Sequence, residues 1–412
     1  MQILECQRAA KMVARLAARS QPTTRQERKV KRIISEIQRR GDRALRQFAQ
    51  RWDNLGRKAL RVTETEMRHA ARSISDELAS SVRLAAKNIR SFAEQQKPVE
   101  WTSRNGGLTV GQLVRALDSV GCYVPGGRYP LISTLLMTTI PAQVAGVSRI
   151  CVVSPNPPDE LLAVAHELGI NEVYRVGGAH AIAALAYGTK CIRRVDKIVG
   201  PGNSYVTAAK RLVAFNCAID MLAGPTEVVV VAHDGEAAWI ASDLVAQAEH
   251  DPEALAILIT CSQNLAKAVV SSADTQSRGN AIASESLKTN GYILIASNRE
   301  QALVWANQLA PEHISVSEED VDQVRHAGSV FIGDYSPQAA GDYVSGPNHV
   351  LPTGGTARFR AGLSVLDFVK LITTQRHSRI GLRRIAPAIT ALAECEGLLA
   401  HAESVRMRCS HA

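Results

Sequence analysis

The hydrophobic pattern changes character near residue 100. Before it, apolar positions recur with a helical period. Ile33, Ile34, Ile37, Leu45 and Phe48 form one stripe, and residues 5–55 read as helical. Gly41-Asp42 interrupts the stripe, and Asp42 can cap the next helix. Residues 64–96 read as a second long helical stretch, capped near Thr63 to Thr65. From residue 108 short apolar runs alternate with helical segments. The strand Val120–Val124 ends in Pro125-Gly126-Gly127, and a helix from Ser133 to Ala145 follows, with a kink expected at Pro141. Next come strand Arg149–Val153, helix Asp159–Leu168, strand Val173–Val176, the turn Gly177-Gly178 and helix Ala179–Ala186. Strand Lys197–Val199 then meets Gly200-Pro-Gly-Asn203 and another helix. A second series starts at 226 with strand Glu227–Ala232, a helix over 236–251 and strand Ala256–Ile259. Strand Gly291–Ile295, helix Arg299–Leu309 and strand Ser329–Gly333 complete it. Residues 334–361 read as a long Gly- and Pro-rich loop, and 386–404 as a helical tail containing Glu396 and His401.

Strands alternating with helices predict parallel sheets with crossover helices. The expected fold is α/β: two Rossmann-like parallel-sheet units, an N-terminal helical extension and a C-terminal helical tail. The boundaries read as 1–107 for the extension, 108–222 and 223–360 for the two units, and 361–412 for the tail. Several Gly-rich turns follow a strand and open a helix, where phosphates and nucleotides dock, although no GxGxxG occurs.

Composition narrows the partners. The 412 residues carry a net charge of +9, which raises nucleic acid as a partner. The basic residues are dispersed and aromatics make up only 4%, so the balance reads as a solvated basic surface that favours small anions. No nucleic-acid partner is expected. No apolar run of 18 residues exists, so no membrane span is expected. The eight cysteines include no CxxC pair and read as reduced thiols of a cytoplasmic protein. The first twenty residues read as an amphipathic helix rather than a transit peptide.

Five polar features could carry chemistry. Gln247 and His250, three apart on the predicted helix, could offer an amide oxygen and an imidazole to a divalent metal. The bland alternative is packing next to an apolar face. Glu312-His313, after Pro311 at a helix end, suits acid–base work if buried, and is otherwise a surface pair. Asp342, Asn348 and His349 lie between glycines in the long loop, as site residues do. Glu396 and His401 are five apart in the tail, on what could equally be a solvated face. Thr226 tops a buried strand and needs no role beyond capping.

Taken together, five runs resemble the histidinol dehydrogenase family. They are Gly200-Pro-Gly-Asn-Ser-Tyr-Val-Thr-Ala-Ala-Lys210, Ile219-Asp-Met-Leu-Ala-Gly-Pro-Thr-Glu227, Ser242-Asp-Leu-Val-Ala-Gln-Ala-Glu-His250, Ala310-Pro-Glu-His313 and Gly341-Asp-Tyr-Val-Ser-Gly-Pro-Asn-His-Val-Leu-Pro-Thr353. Tyr123-Val-Pro-Gly-Gly127 and Gly41-Asp-Arg-Ala-Leu45 also fit, and order and spacing match from about residue 30 to 405. The resemblance implies oxidation of L-histidinol to L-histidine in two NAD-dependent steps through an enzyme-held aldehyde. It implies a homodimer with shared active sites and one zinc ion per subunit. Carried over, the zinc ligands are Gln247, His250, Asp342 and His401, the last from the partner subunit's tail. His313 is then the base for the alcohol and Glu312 the residue that activates water. His349 and Glu396 hold the substrate, which also meets Thr226, His313 and the metal ligands. Tyr123, His180 and Asn203 contact the cofactor.

Three positions depart from the family pattern. Thr226 stands where the family has Ser, Leu222 where it has Pro, and His180 where it has a Gln. A relative that oxidises another polar alcohol, such as sulfopropanediol, would share Glu312-His313. The presence of His349, Glu396 and His401 favours histidinol. A non-catalytic binding protein on the same scaffold would be expected to lose a ligand or the Glu-His pair, and neither is lost.

Overall fold

The computed structural model describes residues 1–19, 26–126 and 131–410. Gly127 of the Tyr123–Gly127 motif lies outside the described residues. In chain order the strands are β1 (Gln2–Glu5), β2 (Trp101–Asn105), β3 (Leu108–Ala116), β4 (Ser119–Tyr123), β5 (Arg149–Val153), β6 (Glu172–Tyr174) and β7 (Lys197–Val199). They continue with β8 (Ala218–Ile219), β9 (Glu227–Val231), β10 (Leu255–Thr260), β11 (Gly291–Ile295), β12 (His313–Val316), β13 (Ser329–Ile332) and β14 (Val369–His377). The chain forms two compact units: Met1–Gln96 with Leu117–Phe368, and Lys97–Ala116 with Val369–Ala412.

The first unit holds two parallel sheets, as the alternation of strands and helices predicted. One has the order β6-β5-β4-β7-β8 and the other β1-β11-β10-β9-β12-β13. In each, the strand order reverses beside one central strand, β4 or β9, which is the doubly wound pattern. The sequence of β9, Glu-Val-Val-Val-Val, is buried throughout because helices cover both faces of the sheet. Val228 and Val230 pack with Leu244 and Ala248 on one face, and Val229 and Val231 with Leu303 and Leu309 on the other. The helices Glu27–Arg40 and Asp42–Trp52 close the first sheet through Ile33, Ile37 and Leu45. Thr63 and Glu66 form a reciprocal capping box at the next helix, as expected. Asp42 is the first helical residue rather than a cap, and its carboxylate accepts the Cys191 N–H.

Several boundaries differ from the expected ones. Residues 1–107 are not a single helical extension. β1 pairs with β11 at the edge of the second sheet. β2 and β3 join β14 in an antiparallel sheet of the second unit, so the first α/β sheet begins at β4 rather than at 108. The tail is two helices, Arg379–Cys395 and Leu399–Ser410. Gly397, with φ of +75°, breaks the chain between them, so Glu396 ends the first helix instead of lying inside one. Among the described residues no helix is long and apolar enough to cross a membrane, and all eight cysteines are free.

Candidate active site

Helix Arg299–Leu309 ends with Ala310 in a left-handed conformation, φ of +46°. Pro311-Glu312 then leads straight into β12. Glu312 and His313 therefore open a central strand rather than close a helix, and β12, with its polar start and four residues, is absent from the sequence pattern. Pairing of His313 with Val228 sets this start beside the start of β9. The Thr226 hydroxyl donates to Glu312 Oε2 at 2.6 Å, and the Glu227 N–H donates to the same oxygen at 2.9 Å. His313 Nδ1 lies 3.1 Å from the Glu227 carbonyl. That contact assigns the Nδ1 proton and leaves Nε2 as the working nitrogen. The backbone of one residue thus holds both members of the acid–base pair. The Gln247 amide nitrogen donates to Thr226 Oγ1, which leaves its amide oxygen as the end available to a ligand.

Both members of the pair are buried, at 7% and 4% exposure. Burial pushes the Glu312 carboxyl up to about 7, against the lowering effect of His313 and the two donors. Burial alone would lower His313, but the Glu312 carboxylate 3.8 Å from Nδ1 and the Asp342 carboxylate 3.7 Å from Nε2 outweigh it. Its imidazole is held up at about 9.

Glu227 has a role in the fold that its motif does not signal. Arg19 grips its carboxylate at 2.8 and 2.7 Å, and the Gly354 N–H reaches it at 3.0 Å. Nothing near Arg19 in the sequence signals this, because the partners are 208 positions apart.

The long loop folds over the same edge. A short helix, Gln338–Tyr343, carries Asp342, and the Asp342 carbonyl meets His349 Nδ1 at 2.8 Å. Burial lowers the His349 imidazole, with Asp342 opposing. Burial would raise the Asp342 carboxyl, but His313, His349 and His250 hold it below the usual carboxylate range. Asn348 is anchored by Pro141. The helix Ile132–Ala145 continues through Pro141, and a proline there has no N–H for the carbonyl four residues back. That carbonyl, of Met137, accepts the Asn348 amide at 2.7 Å.

Helix Ala237–Ala248 ends before His250, contrary to the expected run over 236–251. His250 sits in an exposed bend beyond it, so Gln247 and His250 do not share a helical face. His250 still acts electrostatically on Asp342 and His349. Among the described residues no three His, Cys, Asp or Glu side chains are grouped as a metal requires. Asp342, His250 and the Gln247 amide oxygen give a mixed oxygen and nitrogen donor set that fits a borderline divalent ion and still lacks a donor. Glu396 and His401 belong to the second unit, and both are exposed.

A separate cleft of about 910 Å³ opens at the carboxyl ends of the first sheet. Tyr123, His180 and Asn203, the three expected cofactor residues, all line it. The Tyr123 hydroxyl accepts the Gly178 N–H at 3.2 Å. Asn203 caps helix Ser204–Val213, accepting the Tyr205 and Val206 N–H groups. Gly200 is required here: its φ is +111°, and a Cβ would fall 2.1 Å from the Tyr123 carbonyl oxygen. His180 Nε2 contacts Asp53 Oδ2 at 2.6 Å, and that oxygen also accepts the Gly177 N–H at 3.0 Å. The stacked rings of Phe48 and Trp52 flank the imidazole. Asp53 carries no motif in the sequence, and only the fold reveals it.

A family model described as histidinol dehydrogenase matches residues 16–409. A histidinol dehydrogenase of Geobacillus kaustophilus is 46% identical over 400 residues, 94% of each chain. One of Methanothermobacter thermautotrophicus is 46% identical over 391 residues, 91% of this chain and 92% of its own. A solved histidinol dehydrogenase from Elizabethkingia anophelis is 34% identical, with a TM-score of 0.94 over 99% of this chain and 98% of its own.

Proposed function

The chain belongs to the histidinol dehydrogenase family, and on that premise we propose that it oxidises L-histidinol to L-histidine through histidinal with two molecules of NAD. It is an oxidoreductase of histidine biosynthesis, acting on an alcohol and then an aldehyde. The buried Glu312–His313 pair, fastened to the start of β9, carries the reading.

Hydride leaves the alcohol carbon only as the hydroxyl proton is removed, so the first step needs a base. His313 Nε2 fills that role once its own proton is lost, with Nδ1 fixed on the Glu227 carbonyl; the Asp342 carboxylate helps to hold that proton, and a bound ion that engaged Asp342 would favour its release. The second oxidation needs the aldehyde hydrate. Glu312 takes the proton from the attacking water, and a carboxyl raised to about 7 suits this work near neutrality. Thr226 and Glu227 both hold Oε2, which leaves Oε1 for the water. Tyr123, His180 and Asn203 receive the dinucleotide.

Gln247, His250, Asp342 and the partner subunit's His401 would hold one zinc ion per subunit. When bound, the ion supplies positive charge that grips the imidazole and amine of the substrate and engages the Asp342 carboxylate. His349 and Glu396 orient the same substrate, and the enzyme is a homodimer with shared sites. We place it in the cytoplasm, with no nucleic-acid or membrane partner. The test is NADH yield from the zinc-loaded protein with L-histidinol, with sulfopropanediol in parallel. Two NADH per histidinol are expected. Turnover of sulfopropanediol alone would assign the chain to a relative with shifted specificity.

A further inference from the structure

A short segment, 220–226, runs from the end of β8 in the first sheet to the start of β9 in the second. Each of its ends grips one site. At its first residue, Asp220 Oδ2 accepts the Gly200 N–H at 2.7 Å, and Oδ1 accepts the Met221 N–H and the Lys210 ammonium. Lys210 Nζ also donates to the Gly200 carbonyl at 2.9 Å. One ion pair thus holds both backbone polar groups of Gly200, the residue that opens the turn bringing Asn203 to the cleft. At its last residue, the Thr226 hydroxyl donates to Glu312 and accepts the Gln247 amide. Between the two ends, the Thr207 hydroxyl donates to the Ala223 carbonyl at 3.1 Å, and the Gly224 N–H donates to Thr353 Oγ1 at 2.7 Å.

Lys210 and Asp220 are 2% and 5% exposed. A pair this deep adds little to stability, because taking both charges out of water offsets their attraction. Apolar side chains of similar size would fill the space as well. They could not hold the N–H and the carbonyl of Gly200 in place beside the chain that leads to Thr226.

We propose that Lys210 and Asp220 are positioning residues for hydride transfer, setting where the dinucleotide turn stands relative to the acid–base pair. The inference rests on the reading of the cleft as the NAD site and of Glu312–His313 as the acid–base pair. Hydride transfer needs the nicotinamide carbon and the alcohol carbon about 3–3.5 Å apart, and a displacement of about 1 Å can cost about 100-fold in rate. The nicotinamide is held from the first sheet and the alcohol from the second. Their separation therefore depends on what joins the two sheets, and segment 220–226 touches both sites. Lys210 and Asp220 act on the first end of that segment, and Thr207 acts on its middle.

The experiment measures single-turnover NADH formation by the zinc-loaded full-length protein at saturating NAD and L-histidinol, in the parent and in Lys210→Met/Asp220→Leu. The double change removes both charges, so no buried ion is left unpaired. The rate is expected to fall about 100-fold. Zinc content should match the parent's, as should the NAD dissociation constant, read by tryptophan quenching with Trp52 of the cleft as reporter. Thr207→Val keeps the shape of the side chain and removes the bond to Ala223. It should slow the step about tenfold, the size of one hydrogen bond, and Thr207→Ser should restore it. A lowered melting temperature with a parental single-turnover rate assigns the pair to folding alone and overturns the proposal. A rate that recovers at higher NAD overturns it too, since the pair would then serve dinucleotide binding alone. If the double variant does not fold, Thr207→Val decides by the same two readings. Parental rates in every variant sink only this inference, whereas a parent that forms no NADH from histidinol sinks the proposed function with it.

Discussion

The two parallel sheets of the first unit use opposite edges. The first sheet gathers its candidate ligand residues at the carboxyl ends of its strands: Tyr123 at the end of β4, His180 after β6 and Asn203 after β7. The second gathers its chemistry at the amino ends, with Thr226 and Glu227 at the start of β9 and Glu312 and His313 at the start of β12. Helix direction accounts for the difference. A crossover helix begins at the carboxyl edge and finishes at the amino edge. The first cleft therefore faces helix N-termini at Gly178 and Ser204, which favour anions such as a pyrophosphate. The second site faces the C-termini of helices Ala237–Ala248 and Arg299–Leu309, which favour cations. A protonating imidazole and a divalent ion belong at such an edge, and a dinucleotide at the other.

If the edges divide the work in this way, each can be disabled alone. His313→Ala should cut kcat for the alcohol step by roughly 10²- to 10⁴-fold, the usual contribution of a general base. Zinc content and dinucleotide affinity should stay put, and an equal fall in NAD affinity would break the comparison. Arg19→Ala comes next. It leaves the Glu227 carboxylate buried with only the Gly354 N–H, and losing one partner of a buried pair costs about 3–5 kcal/mol. Denaturant unfolding measures the loss. kcat should fall as well, because Glu227 positions both Glu312 and His313, while the KM for the dinucleotide should hold.

How legible these edges were in the sequence depended on burial and on range. β9 and β10 stood out because strands covered on both faces are unbroken apolar runs. β12 did not, since it opens with a histidine and has only four residues. β1 and β2 are short, with mostly exposed side chains, and carry no period. The helix bearing Gln247 is shorter than the expected 236–251, because the chain turns at Glu249 and the helix ends at Ala248. Glu312, His313, Asp342 and His349 were named from motif and loop context, and the fold gathers them at one edge. Their supports were invisible, because Thr226–Glu312, Arg19–Glu227 and Asp53–His180 each join residues more than eighty positions apart.

A smaller effect sharpens the carboxyl-edge side. His180→Ala removes the partner of Asp53 and opens the wall of the cleft at the carboxyl ends of the first sheet. The dinucleotide KM should rise about tenfold, as expected for one lost hydrogen bond to a charged group, with a much smaller change in kcat. An unchanged KM with a collapsed kcat would move His180 to the chemical side of the comparison.

The smallest effect concerns the edge left over, the carboxyl ends of the second sheet. A cleft of about 370 Å³ lies there, lined by Asp234, Asp243, Asp320 and Asp334 among others. Carboxylates at that edge repel phosphate, which disfavours a dinucleotide there despite the doubly wound order. Asp243 is the one to change. Burial pushes its carboxyl up to about 6, so the folded protein holds this proton more tightly than the unfolded chain does. A raised pKa of this kind gives stability that is present below the unfolded value, near 4, and is lost as pH rises through about 6. Asp243→Asn should therefore match the parent near pH 4 and exceed it above pH 6. Two pKa units correspond to nearly 3 kcal/mol, and partial exposure reduces the expected gain to roughly 1 kcal/mol. Urea unfolding at pH 4 and pH 7.5 reads the difference, and histidinol turnover should not change. A gain of equal size at both pH values would mean that the charge on Asp243 is not what destabilises this edge.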